Sequence, residues 1–258
     1  MFTLYNNEYS TCSQKVRLVL AEKNLAWTDV QLSFAKGEHL SPEYLEINPS
    51  GVVPTLVHDE WIIPDSSVIM EYLDEVAPQP AMSSSTPQGR AELRAWLRYF
   101  EEVATPAVRY PSFNQAFVRR FAAMSSDEFT CQVNARPLRK RFYERMGQSG
   151  FDERELGIAL ENIAQTCKRM EGALRENDWL LGGDRPSIAD CCVAPLIDRM
   201  ADLGHAYLWS DAPGVAAWLA RFRERNSWNA TFYEGARMSD RFDDLLSTRR
   251  TLPELVSC

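Results

Sequence analysis

The sequence holds no apolar run near the roughly 18–20 residues that a bilayer span requires. Its first ten residues, MFTLYNNEYS, have neither a basic n-region nor an apolar h-region, so no signal peptide is expected there. Cysteine is sparse: Cys12, Cys131, Cys167, Cys191, Cys192 and Cys258 are scattered, form no CxxC pair and include two direct neighbours. That excludes a disulfide scaffold and leads us to expect reduced thiols and a cytoplasmic protein. The three histidines, His39, His58 and His205, are far apart and have no Cys or His at ligand spacing, so no metal site is expected. An excess of basic charge is missing too. Twenty-eight Lys and Arg face 36 Asp and Glu, a net charge of −8. A protein built to grip nucleic acid or an anionic membrane would carry the opposite balance. No internal repeat is visible.

What is present is an ordinary folded composition: 258 residues, 45% hydrophobic, 25% charged and 11% aromatic. At about 100–200 residues per domain this gives one large or two small domains. The pattern changes near residue 80. Before it, short β-rich runs (Phe2–Tyr5, Trp27–Leu32, Thr55–His58, Trp61–Ile63) alternate with amphipathic stretches at Ser13–Lys23, Ser41–Leu45 and Ser66–Val76. The order βαβαββα predicts one small sheet with helices packed on it. Residues 77–89 have linker composition. Beyond them only helical spacing appears, at Gln88–Val103, Leu156–Leu174, Ser187–Met200 and Val215–Phe222. We therefore expect an α/β domain over 1–80 and an all-α domain over 81–258. Between about 118 and 150 the chain is polar and basic, which suggests an inserted, mostly exposed helical excursion; the charged stretch from Ser239 should drape over the surface.

Three motifs in the first part can carry chemistry, and each also has a plain structural reading. Gly51-Val52-Val53-Pro54-Thr55 puts a proline at the start of a strand. A cis bond there would turn the backbone of Val53 toward a peptide-like ligand; the alternative is an edge strand that tolerates proline. Asp65 and Ser66 stand before an apolar-periodic run. They suit an α-amino acid head, with free helix N–H groups for its carboxylate and Asp65 for its ammonium, or simple helix capping. Ser10, Cys12 and Ser13 flank a helix start, where hydroxyls can donate to a thiolate and a thiol pKa falls; Cys12 is equally suited to serve as a small buried apolar residue.

Together and in this order, the motifs resemble those of the glutathione transferases. The likeness rests on Tyr9-Ser10-Thr11-Cys12-Ser13, His39-Leu40-Ser41-Pro42, Asn48-Pro49-Ser50-Gly51-Val52-Val53-Pro54 and Asp65-Ser66-Ser67, and on Pro186-Ser187-Ile188-Ala189-Asp190 in the second part. In the last of these, Ser187 caps a helix and Asp190 bonds back to the cap. The resemblance implies a thioredoxin-like N-terminal domain followed by a glutathione-transferase-type helical bundle. It further implies glutathione as co-substrate and a homodimer. Val53 beside cis-Pro54 would pair with the cysteinyl part, Asp65 and Ser66 would hold the γ-glutamyl head, and His39 would sit near the glycyl carboxylate. Many relatives have Lys or Gln before the Val-Pro pair; Val52 removes that contact.

The activating residue stays open among three. The zeta-type pattern selects Ser10, the bacterial β-aryl etherase pattern selects Ser13, and some bacterial classes place a cysteine where Cys12 stands. A hydroxyl favours thiolate activation. A cysteine favours mixed-disulfide chemistry. In the second part, Trp96 and Phe100 are four apart and read as core, while Arg109, Tyr110 and Phe113 are candidates to line a cleft for an apolar aromatic electrophile. The 118–150 insertion resembles that of bacterial β-aryl etherases, so β-aryl ether cleavage is the reaction it suggests. A glutathione-binding protein without turnover and a Cys12-dependent thiol transferase are the alternatives.

Overall fold

The computed structural model describes residues 1–242. Four strands form one sheet: β1 (Phe2–Asn6), β2 (Trp27–Gln31), β3 (Thr55–His58) and β4 (Trp61–Pro64), in the order β2-β1-β3-β4. β1 and β2 are parallel, which demands a crossover, and helix α1 (Thr11–Glu22) supplies it. β3 runs antiparallel to both β1 and β4. Asp59, in the left-handed region at φ 54°, turns the chain between β3 and β4. Helices α2 (Pro42–Ile47) and α3 (Ser66–Val76) complete a thioredoxin-like domain. α2 starts as the Ser-Pro pair predicts: the Ser41 side chain accepts from Tyr44 N–H, and Pro42, with no N–H to satisfy, fills the first turn.

The rest of the described chain is helical. α4 (Pro87–Tyr99) continues, through two wide turns at Phe100–Ala104 and Phe113–Phe117, as far as Ala122. In these turns Thr105 N–H bonds to the Phe100 carbonyl and Val118 N–H to that of Phe113, one residue farther back than in an α-helix. Pro106 and Pro111 lie along the same run and have no N–H to give, so the regular ladder could not persist. The later helices are α5 (Ser126–Asn134), α6 (Lys140–Met146), α7 (Glu153–Leu174), α8 (Ile188–Asp202), α9 (Pro213–Arg223) and α10 (Asn226–Thr231).

α8 is the centre of this bundle, and its residues from Ile188 to Met200 are all buried. Its start forms the expected capping box. Asp190 Oδ2 accepts from Ser187 N–H at 2.8 Å and Oγ at 2.6 Å, while Oδ1 accepts from Leu180 N–H at 3.0 Å and Trp218 Nε1 at 2.8 Å. A buried carboxylate thus closes four donors at once. Trp96 and Phe100 are core, as their spacing predicts. The thiols of Cys167 and Cys192 are buried and pushed up to about 12 by desolvation, which removes them as nucleophiles at neutral pH.

α1 is buried between the sheet and α8, and its polar side chains reach into the helical domain. Gln14 donates to the Ala236 carbonyl at 2.7 Å. Lys15 Nζ meets Glu101 at 2.5 Å and Thr105 Oγ1 at 2.9 Å. Arg17 donates to Asn6 Oδ1 at 2.6 Å and to the carbonyls of Asn7, Glu8 and Thr231. Burial works against the Lys15 charge, but the adjoining Cys192 and Glu101 outweigh it and raise its pKa.

The 118–150 segment is mostly exposed and helical, as its composition suggests, but it also has a buried side. Phe121, Val133, Arg136 and Met146 are buried, and Phe121 and Met146 form a second small core with Phe151. Its aromatic residues pack edge-to-face, with Phe113–Phe142 centroids at 4.9 Å and Phe121–Tyr143 at 5.4 Å. α10 has no counterpart among the predicted helices, because it is short and buries Trp228 without a repeating apolar stripe. Of the charged stretch from Ser239, the described part ends at Phe242; Arg241 pairs with Glu8 and Phe242 packs on Phe117. The remainder of that stretch, 243–258, lies outside the described residues.

Candidate functional site

The register of the sheet brings the three motifs together. Tyr5 pairs with Thr55, and Thr55 with Pro64. The loop after β1, the chain before β3 and the chain after β4 therefore all leave the sheet at one end. There the loop after β1 and the chain before β3 face the helical domain across an open cleft.

Ser10 is the N-cap of α1. Its Oγ accepts from Ser13 N–H at 3.3 Å and lines the cleft. A hydroxyl that accepts through its oxygen keeps its own proton to donate, so Ser10 can offer an O–H to an anion at the positive end of the helix. Cys12 also lines the cleft, near the Arg109 guanidinium. Ser13 does not reach the cleft. It is buried in the first turn of α1, and its Oγ accepts from Asn7 N–H at 3.3 Å. The helix starts two residues earlier than the amphipathic pattern predicts, which turns Ser13 inward.

The Val53–Pro54 bond is cis. The carbonyl of Val52 is occupied by Tyr44 Oη at 2.6 Å and Asn48 Nδ2 at 3.0 Å. Among the described residues no hydrogen bond uses the N–H or carbonyl of Val53, and Val53 lines the cleft. A free backbone pair of this kind can receive an extended peptide as a further strand does. Asp65 and Ser66 are not part of the cleft wall; they stand beyond Pro54 at the start of α3. Asp65, at φ 73°, is the N-cap there, and its Oδ1 accepts from Ser67 N–H at 2.9 Å and Val68 N–H at 3.2 Å. Its other oxygen has no partner among the described residues.

His39 is on the wall, with Nδ1 buried and unpartnered. Burial first, and then the nearby Arg136 and Arg120, push it down to about 4, so the ring is neutral at pH 7. Arg109 and Phe113 line the cleft as expected, but Tyr110 does not. It packs away from it, on Phe151 at 4.3 Å and Phe142 at 6.0 Å.

Sequence reasoning misses several wall residues. Arg136, Arg139, Phe142 and Tyr143 come from the segment whose composition suggests exposed surface, and Arg199 comes from α8. The segment's basic character conceals that Arg136 stands over Tyr143, its guanidinium 4.3 Å from the ring centre. Arg199 sits inside an apolar run, buried, donating to the Tyr9 carbonyl; desolvation pushes it down to about 10 against the nearby Asp202 and Asp198.

Residues 4–81 match the model of the glutathione S-transferase N-terminal domain, and residues 120–221 that of the C-terminal domain. The chain belongs to the glutathione S-transferase family. Protein LigF of Sphingobium sp. strain SYK-6 is 28% identical over 91% of this chain and 94% of its own. Its crystal structure, described as that of a beta-etherase, superposes with a TM-score of 0.80 at 27% identity, over 90% of this chain and 98% of that one. Glutathione S-transferase F10 of Arabidopsis thaliana is 26% identical, over 88% of this chain and 94% of its own. The stringent starvation protein A homolog of Pasteurella multocida is 25% identical over 88% of each chain. In this transferase fold, no helix among the described residues is long and apolar enough to cross a membrane.

Gly51 joins the two walls. It has φ 61°, and a Cβ there would lie 2.9 Å from Leu40 Cδ2 and 3.3 Å from Pro137 Cδ, next to Arg136. Gly51→Ala should therefore cost about 1–3 kcal/mol, from the left-handed backbone and the overpacked contact. Urea denaturation checks this; an unchanged midpoint would show that the turn is not tightly held.

Proposed function

We propose that this protein is a glutathione transferase that delivers the glutathione thiolate to an electrophilic carbon of an aromatic compound. β-Aryl ether cleavage is the reaction to test first. The observation that carries the reading is the free backbone pair of Val53 facing the same cleft as the Ser10 hydroxyl at the N-terminus of a buried helix. The cysteinyl part pairs with Val53, which sets the sulfur near Ser10. Asp65 and Ser66 take the γ-glutamyl head at the adjoining sheet end. His39, with Arg120 and Arg136 beside it, takes the glycyl carboxylate. The thiol gives its proton to solvent, and the Ser10 O–H and the helix N-terminus stabilise the thiolate. A carbon–sulfur bond forms, the carbon–oxygen bond of the ether breaks, and aryloxide leaves with the electron pair. The similarity to a beta-etherase over most of both chains supports this choice of ether.

One observation favours a second chemistry: Cys12 lines the cleft near the Arg109 guanidinium, where a thiol can exchange with a mixed disulfide. The two readings separate on three variants. Under ours, Ser10→Ala lowers ether cleavage by about a hundred-fold, Cys12→Ala leaves most of the rate, and Ser13→Ala affects stability more than turnover. Loss of activity only in Cys12→Ala would transfer the chemistry to the thiol.

We also propose a homodimer. Trp61 and Ile62 on β4 and Val68 on α3 are exposed, at 75%, 46% and 48%, and offer apolar side chains to a partner copy. Sedimentation should give about twice the chain mass of 29.4 kDa at micromolar concentration; the single-chain mass would contradict it.

A further inference from the structure

The cleft is strongly cationic in an acidic protein. Arg109, Arg120, Arg136, Arg139 and Arg199 line it together with His39, and among the described residues no carboxylate does, although the chain carries −8 overall. Two of these arginines hold the fold. Arg120 donates to the carbonyls of Phe34 and Ala35 at 3.0 and 3.1 Å, and Arg199 to that of Tyr9. Arg136, 6% exposed, gives one nitrogen to Gln132 and keeps its Nε buried and unpartnered.

Arg109 and Arg139 are different. Burial, and then the nearby Arg139, push Arg109 down to about 10. Against that stand only the Cys12 thiol and Glu101, and Glu101 already holds Lys15. The Arg139 side chain has no hydrogen bond or ion pair among the described residues. Two guanidiniums lining one cleft, with no side-chain anion between them among the described residues, are an unfilled recognition element, since the planar fork of Arg matches a carboxylate. Arg109 is near Cys12, and Arg120 and Arg136 are near His39. Phe113, Phe142 and Tyr143 line the same cleft.

We infer that the electrophile is an anionic arene, an aromatic carboxylate whose acid group lies between Arg109 and Arg139 and whose ring packs among Phe113, Phe142 and Tyr143. This rests on the transferase reading above and names its substrate class.

The test uses the full-length protein, glutathione, a chloronitrobenzoate and the neutral benzamide of the same substitution pattern. With both, the thiolate forms a carbon–sulfur bond and chloride leaves with the electron pair, and each rate is divided by the uncatalysed one. The acceleration, as kcat/KM, should be about tenfold or more greater for the acid, the worth of one charged hydrogen bond. Arg139→Gln should lower the acid's acceleration about tenfold more than the amide's and raise the KM of the acid, and Arg139→Lys should restore part of the difference. An amide turned over as well as the acid by the unaltered protein would overturn the inference and leave the transferase reading standing. A rise in the KM of glutathione in Arg139→Gln, in place of a rise for the acid, would assign Arg139 to glutathione and overturn it as well. No glutathione-dependent turnover of either compound would overturn the transferase reading and this inference with it.

Discussion

Every residue of α1 from Ser13 to Leu20 is buried, including one lysine and one arginine. Charges in such a place are tolerated only when each finds partners. Here the partners lie largely outside the helix's own domain: Glu101 and Thr105 for Lys15, the carbonyl of Thr231 for Arg17, that of Ala236 for Gln14. At the far end Glu22 receives Arg225 through two bonds of 2.6 and 2.7 Å, and Lys23 meets Asp74 at 2.6 Å. The helix therefore cannot slide or roll without stranding several buried polar groups. Because it is fixed along its length, its N-terminus is fixed as well, and Ser10 and Cys12 hold a constant position against the cleft. A site that must present a proton donor to a sulfur within hydrogen-bond reach depends on that rigidity.

The same economy of charge explains why the cleft can be cationic while the protein is acidic. Asp198 is paired by Arg223 and Arg237, and Asp190 closes the start of α8, so these buried acids serve the interior of the bundle. The arginines of the wall come from the long irregular helix, from the segment before α6 and from α8, and converge only in the folded chain. The wide turns at Phe100–Ala104 and Phe113–Phe117 belong to this geometry, since they reset the helical phase on either side of Arg109.

Much of this is legible in the residues alone. The four strands show as short β-rich runs between turn residues, and the Ser41-Pro42 and Ser187–Asp190 caps stand at the expected positions because their bonds are local. Val53 and cis-Pro54 are legible for the same reason. The features hidden from the sequence depend on contacts between distant elements. Phe142 packs edge-to-face on Tyr143 and Arg136 stands over the Tyr143 ring, without a helical repeat, so the segment has the composition of solvated surface. Ser13 is hidden because the N-cap lies at Ser10, which places Ser13 at the third helical position with its side chain turned into the core. Tyr110 has the composition of a cleft residue but the phase of a core one. Family resemblance draws the site together; it does not say which neighbouring hydroxyl faces outward.

The central claim is that the fixed N-terminus of α1 lowers the pKa of a bound thiol through Ser10. The most direct measurement is a pH titration of the ultraviolet absorbance of the thiolate, made with glutathione bound to the full-length protein. The account predicts a thiol pKa well below the ~8.5 of a free thiol, moving back toward that value in Ser10→Ala. Bound glutathione that titrates like free glutathione, or a shift that survives in Ser10→Ala and disappears in Cys12→Ala, would contradict it.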